Sequence, residues 1–276
     1  MKILSFEQEF TKKTPDRVQI LRFMREAIGV KEVRWKDLTT LNLSKVRKHI
    51  ASKVSGNSPC TYMAILKAFL ADYKDEGIIP CKDPNKELWA RRVPSQHIAL
   101  TEEEIMLFDR YMPINDCEAD VKILFMRGCL TGARSSDCKT FTTDIISGDT
   151  VSYVSEKTKT EVVLPIHRLL LKYLHQQPSK NHDRAVVNRT LKKICERIGF
   201  TDETRLYVNG KWKEGPMYKF ITMHTSRRTF VSCLALRDVP IGVISKLAGH
   251  STTNMTDRYI CINARKPDEN AMAFFK

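Results

Sequence analysis

A chain of 276 residues, 42% hydrophobic and 28% charged, has room for one large domain or two ordinary ones and is too apolar to be disordered throughout. Its 46 lysines and arginines against 32 acids leave a formal net charge of +14, spread over both halves, which points to a polyanionic partner, nucleic acid or an anionic membrane surface, with a solvated basic face as the plainer reading. No apolar run approaches the ~20 residues of a membrane span, acids from Glu7 onward argue against a signal peptide, and the eight cysteines contain no C-x-x-C pair, so the expectation is a soluble protein of a reducing compartment, without zinc or a disulfide framework.

The first third reads as short helices. Thr14-Pro15 pairs a cap with a proline at the first helical position, and the run through Leu21, Phe23, Met24 and Ile28 stops at Gly29. Leu43 to Ile50 carries Lys45, Arg47 and Lys48 on a further helix. Ser58-Pro59 opens another, with Tyr62, Ile65, Leu66, Phe69, Leu70 and Tyr73 at three- and four-residue spacing until Gly77. This predicts a small helical bundle over residues 1–80 with basic exposed faces. Residues 81–98 hold Pro84, Pro94 and the adjacent Arg91-Arg92 without a clear period, and read as a linker.

A second domain over 99–276 opens at Thr101-Glu102-Glu103-Glu104, a capping box whose acids suit the positive end of a helix. One stretch is β-like: Val151 and Tyr153, a polar turn over 156–160, then Val162-Val163-Leu164-Pro165-Ile166, with Ile145-Ile146 as a third candidate strand. Helices resume from about His167. The fold class is therefore mainly α with a small antiparallel β-sheet.

Four patterns fall in order through this domain: Thr131-Gly132-Ala133-Arg134 followed by Asp137; Lys157 in the turn; His224-Thr225-Ser226-Arg227; and Gly249-His250 with Tyr259 nine positions later. Each alone reads as ordinary surface or core. On a helix, His224 and Arg227 share a face and can reach one ligand, and a helix ending at Gly249 leaves His250 just beyond its terminus. As a set they make chemistry. Two arginines can fork the non-bridging oxygens of a phosphodiester, a tyrosine can form a covalent phosphoryl intermediate, and a lysine or histidine can move the protons. No carboxylate cluster has metal-binding spacing, so neither metal nor cofactor is expected.

These residues resemble the tyrosine recombinase (phage integrase) family over nearly the whole chain. The strings His224 to Phe230, Leu247 to Ser251 and Thr256 to Tyr259 resemble its second half. Thr131 to Asp137 resembles its first catalytic box, and Ser58 through Pro84 its helical core-binding domain. The resemblance implies a SAM-like core-binding domain followed by the catalytic domain, with no room for a separate N-terminal arm-binding domain. It implies a site-specific integrase of a mobile element or phage. Tyr259 would attack DNA to give a 3′-phosphotyrosyl bond, Arg134 and Arg227 would hold the phosphate, and Lys157 would be the general acid, with Lys159 its competitor. His224 would act as general base, His250 would hydrogen-bond the phosphate, and Asp137 would support the Arg134 helix. Lys45, Arg47, Lys48, Arg91 and Arg92 are candidates for DNA-backbone contact.

The implied partners are double-stranded DNA, three further copies of the chain in a synaptic homotetramer assembled from monomers, and directionality or host DNA-bending proteins. The implied location is a bacterial cytoplasm, on the nucleoid when DNA is bound. The apolar run Ala271-Met272-Ala273-Phe274-Phe275 would dock on a neighbouring protomer or fold back on its own. Two positions depart from the family pattern: Arg228 stands where relatives often have histidine, and a common glycine is missing from 236–240. A resolvase of replicon dimers, or a non-catalytic DNA-binding regulator of the same fold, are the alternatives.

Overall fold

The computed structural model describes residues 4–261, so the run 271–275 lies outside the described residues. The chain divides into two compact units, one of Met1–Ser95 with Tyr207–Lys211, the other of Gln96–Leu206 with Trp212–Lys276.

In the first unit, α1 (Phe6–Lys13), α2 (Val18–Ile28), α3 (Thr40–Lys53), α4 (Ser58–Ala71) and the short α5 (Pro84–Glu87) follow one another. Phe6 and Phe10, one turn apart on α1, are fully buried, and both rings meet Phe69 of α4 edge-on, at 5.5 and 5.0 Å between centroids. Ile20, Leu21 and Met24 of α2 and Leu43, Val46 and Ile50 of α3 complete this core. Segment 81–98 contributes to it as well: Cys81 and Leu88 are buried there, and α5 carries its own cap, the Asp83 carboxylate accepting the amides of Asn85 and Lys86.

The second unit is built around α7 (Asp116–Thr131), which is buried on nearly every side and packs chiefly on α11 (Met223–Leu236). Around this pair stand α6 (Glu102–Arg110), α8 (Ser135–Thr140), α9 (Arg168–Leu174) and α10 (Arg184–Ile198). The Thr101–Glu104 capping box is formed: Thr101 Oγ1 accepts the Glu104 amide and the Glu104 carboxylate accepts the Thr101 amide. Strands β1 (Ile146–Ser147), β2 (Thr150–Val154) and β3 (Glu161–Pro165) make an antiparallel sheet in that order, with Val151 opposite Leu164 and Tyr153 opposite Val162 on its buried face. A second, two-stranded sheet, β4 (Glu203–Val208) and β5 (Lys211–Pro216), lies outside the one β-like stretch read from the sequence. The chain then passes through α11, α12 (Ile241–Leu247) and the five-residue α13 (Thr253–Asp257). Among the described residues no helix is long and apolar enough to cross a membrane.

Two glycines set the frame of the site. Gly132 ends α7 with a left-handed φ of 68°, and a Cβ there would lie 2.4 Å from the Phe230 ring of α11. Gly249 follows α12 at φ 61°, and a Cβ there would lie 2.8 Å from Val162 of β3. Each position needs both the backbone conformation and the missing side chain.

Candidate active site

Arg134 caps α8 two residues beyond Gly132. Its Nη1 donates to Ser155 Oγ at 2.7 Å, and Ser155 Oγ in turn donates to Asp137 Oδ2 at 2.9 Å. Asp137 also accepts the Glu156 amide at 3.1 Å. The buried carboxylate therefore fixes the start of the β2–β3 turn and, through one hydroxyl, the guanidinium. That turn is closed by the Lys159 amide on the Ser155 carbonyl at 2.8 Å, with Lys159 in the left-handed region at φ 52°. Lys157 rides on it, exposed and without a hydrogen bond or ion pair among the described residues. Thr158 Oγ1 lies 3.5 Å from Arg134 Nη1, so residues on both sides of Lys157 reach the arginine.

Arg227 is 2% exposed, and its Nη1 donates to the Gly132 carbonyl at 2.5 Å, joining α11 to the end of α7. Its Nε and Nη2 are buried with no hydrogen-bond partner among the described residues. His250 is buried as well; Nδ1 faces Thr256 Oγ1 at 2.8 Å, and Nε2 has no partner among the described residues. His224, one turn before Arg227, is exposed at the mouth of this group. The Tyr259 ring sits among them, its centroid 5.1 Å from His224, 4.7 Å from His250 and 5.4 Å from the Arg227 guanidinium carbon.

Crowding, with Arg228 and Arg227 close by, pushes the His224 pKa down to about 4. Burial, Arg227 and Arg134 push that of His250 down to about 3. Both imidazoles are neutral near pH 7, and each keeps one donor and one acceptor. Burial, aided by Arg134, also lowers the Arg227 pKa while Tyr259 opposes the shift, yet a guanidinium remains charged. An unpaired buried polar group costs about 1–3 kcal/mol, more if charged. Three such atoms converging beside a half-buried second arginine form a site complementary to an oxyanion.

The structure thus brings together Arg134, Asp137, His224, Arg227, His250 and Tyr259, and sets the Lys157 turn against Arg134. It draws in two residues to which the sequence reading gave no role, Ser155 between Asp137 and Arg134 and Thr256 behind His250, and it brings Arg228, marked there only as a departure from the family pattern, to 4.8 Å between its guanidinium carbon and the Tyr259 centroid. His97 is exposed, and neighbouring protein atoms and then the charge of Arg228 lower its pKa. Of the basic residues read as DNA contacts, Lys45 and Lys48 are exposed on α3, and Arg91 and Arg92 are exposed beyond α5. Arg47 is half-buried and stacks at 4.6 Å on Trp89; with Arg91 it lines a cavity of about 590 Å³ in the first unit. Among the described residues no three His, Cys, Asp or Glu side chains gather as a metal site.

Residues 99–266 match the family model described as the phage integrase family. The chain belongs to the phage integrase family. No curated protein matches it significantly. Among solved structures, this integrase-family chain is similar to the Tn1549 transposon integrase in complex with transposon right-end DNA, at 11% identity and a TM-score of 0.69, over 99% of this chain and 98% of that one. It is also similar to a lambda integrase tetramer bound to a Holliday junction, at 14% identity and a TM-score of 0.66 over 96% and 80%. A third is the XerH site-specific recombinase on a palindromic difH substrate, at 12% and 0.61 over 92% and 74%. At these identities the likeness is one of fold: a mainly helical integrase fold with small antiparallel sheets.

Proposed function

We propose that this chain is a site-specific DNA recombinase that cuts and rejoins strands through a 3′-phosphotyrosyl intermediate, serving a mobile element or phage. The observation that carries the reading is the set of unpartnered polar atoms, Arg227 Nε and Nη2 and His250 Nε2, gathered around the Tyr259 ring. A scissile phosphate in that space satisfies all three, with Arg134 leaving Ser155 to share the anion. The Tyr259 oxygen attacks phosphorus and loses its proton to neutral His224, while the bond to the 5′ oxygen breaks and Lys157 supplies the proton that makes a 5′-hydroxyl. The phosphate's charge opposes the cations that depress the imidazoles and so raises the basicity of His224 as substrate binds. Two guanidiniums take the electrostatic part that a divalent cation plays elsewhere in phosphoryl transfer. Rejoining is the same exchange in reverse, with a 5′-hydroxyl from a second duplex as nucleophile; strand exchange of this kind calls for four protomers on two duplexes.

The test uses a duplex recovered by binding from genomic DNA of the source and nicked near the cleavage position, so that the released strand diffuses away. Wild-type protein is expected to become covalently attached in the presence of EDTA, and Tyr259→Phe to bind with unchanged affinity and attach nothing. A wild-type protein that binds and never attaches would assign the chain to DNA-binding regulators of the same fold.

A further inference from the structure

Beyond Arg227, the same helix makes contacts that the reaction outlined above does not use. Arg228 and Ser232 stand four apart on α11, one turn along a single face. Arg228 Nη1 donates to the Arg258 carbonyl at 2.7 Å and lies 3.8 Å from Cys261 Sγ, while the guanidinium covers the Tyr259 ring. Ser232 Oγ, in a buried side chain, accepts the Cys261 amide at 2.9 Å and donates to the Tyr259 carbonyl at 3.4 Å. Arg258, Tyr259 and Cys261 are thus each bound to α11 through the main chain. Their own element holds them weakly: α13 has five residues, and past Asp257 its hydrogen bonding runs out, with the Tyr259 amide on the Thr256 carbonyl and the Ile260 amide on that of Asp257. A helix this short does not fix an orientation by itself.

We propose that Arg228 and Ser232 form a docking strip for the nucleophile segment, positioning Tyr259 against the arginines and imidazoles of its own chain. They are positioning residues and touch neither phosphate nor leaving group. The inference rests on the recombinase reading. It also assigns a purpose to the arginine at 228: its fork reaches a carbonyl and a ring face at once, which a histidine there could not do in the same way.

Hydrogen exchange of peptides covering 256–261, affinity for the nicked duplex, and the first-order rate of covalent attachment at saturating protein together test it. Relative to wild type, Arg228→Ala and Ser232→Ala are expected to exchange faster in this segment only. Both should attach more slowly at saturation, by on the order of 10–100-fold for the arginine and less for the serine, with affinity for the duplex unchanged. Arg228→Lys, which keeps a charge and a donor, should recover part of the rate. Loss of affinity in Arg228→Ala with a wild-type rate at saturation would overturn the proposal and make Arg228 a phosphate contact. Unchanged exchange in both variants would overturn it too. Exchange is read on the free protein, so a wild type that never attaches would sink the recombinase reading while the docking contacts are still judged on their own.

Discussion

At the scale of single residues, the orientation of His250 is set by one threonine. Thr256 Oγ1 engages Nδ1 and leaves Nε2 facing the site; when the hydroxyl donates, Nε2 must carry the proton and is ready to donate to an oxyanion. Thr256→Val leaves Nδ1 without a partner, a cost of roughly 1–3 kcal/mol, and releases the choice of tautomer. The expected result is covalent attachment slowed tenfold or more, on the order given by ~1.4 kcal/mol per decade, with Thr256→Ser close to wild type. The same imidazole predicts how stability follows pH. His250, buried in the fold, is depressed to about 3, against ~6.5 in an unfolded chain. As pH falls below ~6.5 the unfolded chain takes up a proton that the folded one refuses, so stability is full above that value and declines toward the folded pKa. Carboxylates held below their ordinary range in the fold, such as Glu118 and Asp120, add to the loss only below about pH 5, which leaves the interval above it to histidine. Thermal midpoints should therefore already drop between about pH 6.5 and 5, and His250→Gln should flatten the slope there.

Among the elements, the crossing of α7 and α11 is what places the two arginines at one point, and Gly128 permits it. A Cβ there would lie 2.2 Å from Ser226 Oγ and 2.9 Å from its Cβ, both in the helix that carries Arg227. Gly128→Ala gains up to ~1 kcal/mol of helix propensity but must push the helices apart; overpacking costs about 1–3 kcal/mol. A net loss of stability in denaturant titration is expected, relieved in the double variant with Ser226→Gly, since residues in contact couple. Little of this crossing could be read beforehand. The sequence shows that Gly132 precedes Arg134 and that His224 and Arg227 share a face, because those relations are local. It does not show that Gly128 touches Ser226, or that Arg127, fully buried, donates to the carbonyls of Tyr173, Cys138 and Gln176, because those partners are distant in the chain. Two elements leave a signal in the sequence that their neighbours mask. Phe6 and Phe10 sit one turn apart, but acids and lysines around them hide the apolar face of α1. Asn209-Gly210, both with positive φ, is a strong hairpin turn signal, obscured by the charged residues of β4 and β5. Ser155 and Thr256 are silent in the sequence for a different reason: a hydroxyl's importance lies in what it bonds, and nothing in its own neighbours announces that.

For the whole molecule, the net charge of +14 has to be reconciled with a site that consumes few of those cations. On the proposed function Arg134, Arg227 and Lys157 serve the reacting phosphate, and several other cations are tied up within the fold, such as Lys13 with Asp72 and Arg237 with Glu102. What remains includes Lys45, Lys48, Arg91 and Arg92 in the first unit. In the second, Arg189, Lys192 and Lys193 flank Asn188 and Tyr218 along a groove of about 440 Å³ on α10. On the proposed function these face DNA phosphates and release condensed counterions when the duplex binds. Each phosphate neutralised contributes about −0.9 to the slope of log affinity against log salt. Six to ten such contacts, roughly, would weaken binding by about 10³–10⁵ between 50 and 200 mM salt. Single substitutions of Lys45, Lys48, Arg189 or Lys193 by glutamine should each reduce the slope by about one and weaken cognate and unrelated duplexes alike. Their rate of covalent attachment at saturation should stay at the wild-type value, because the reacting phosphate is held by other groups. A substitution that instead altered which duplexes are bound would move that residue from the phosphates to the base edges, where sequence is read.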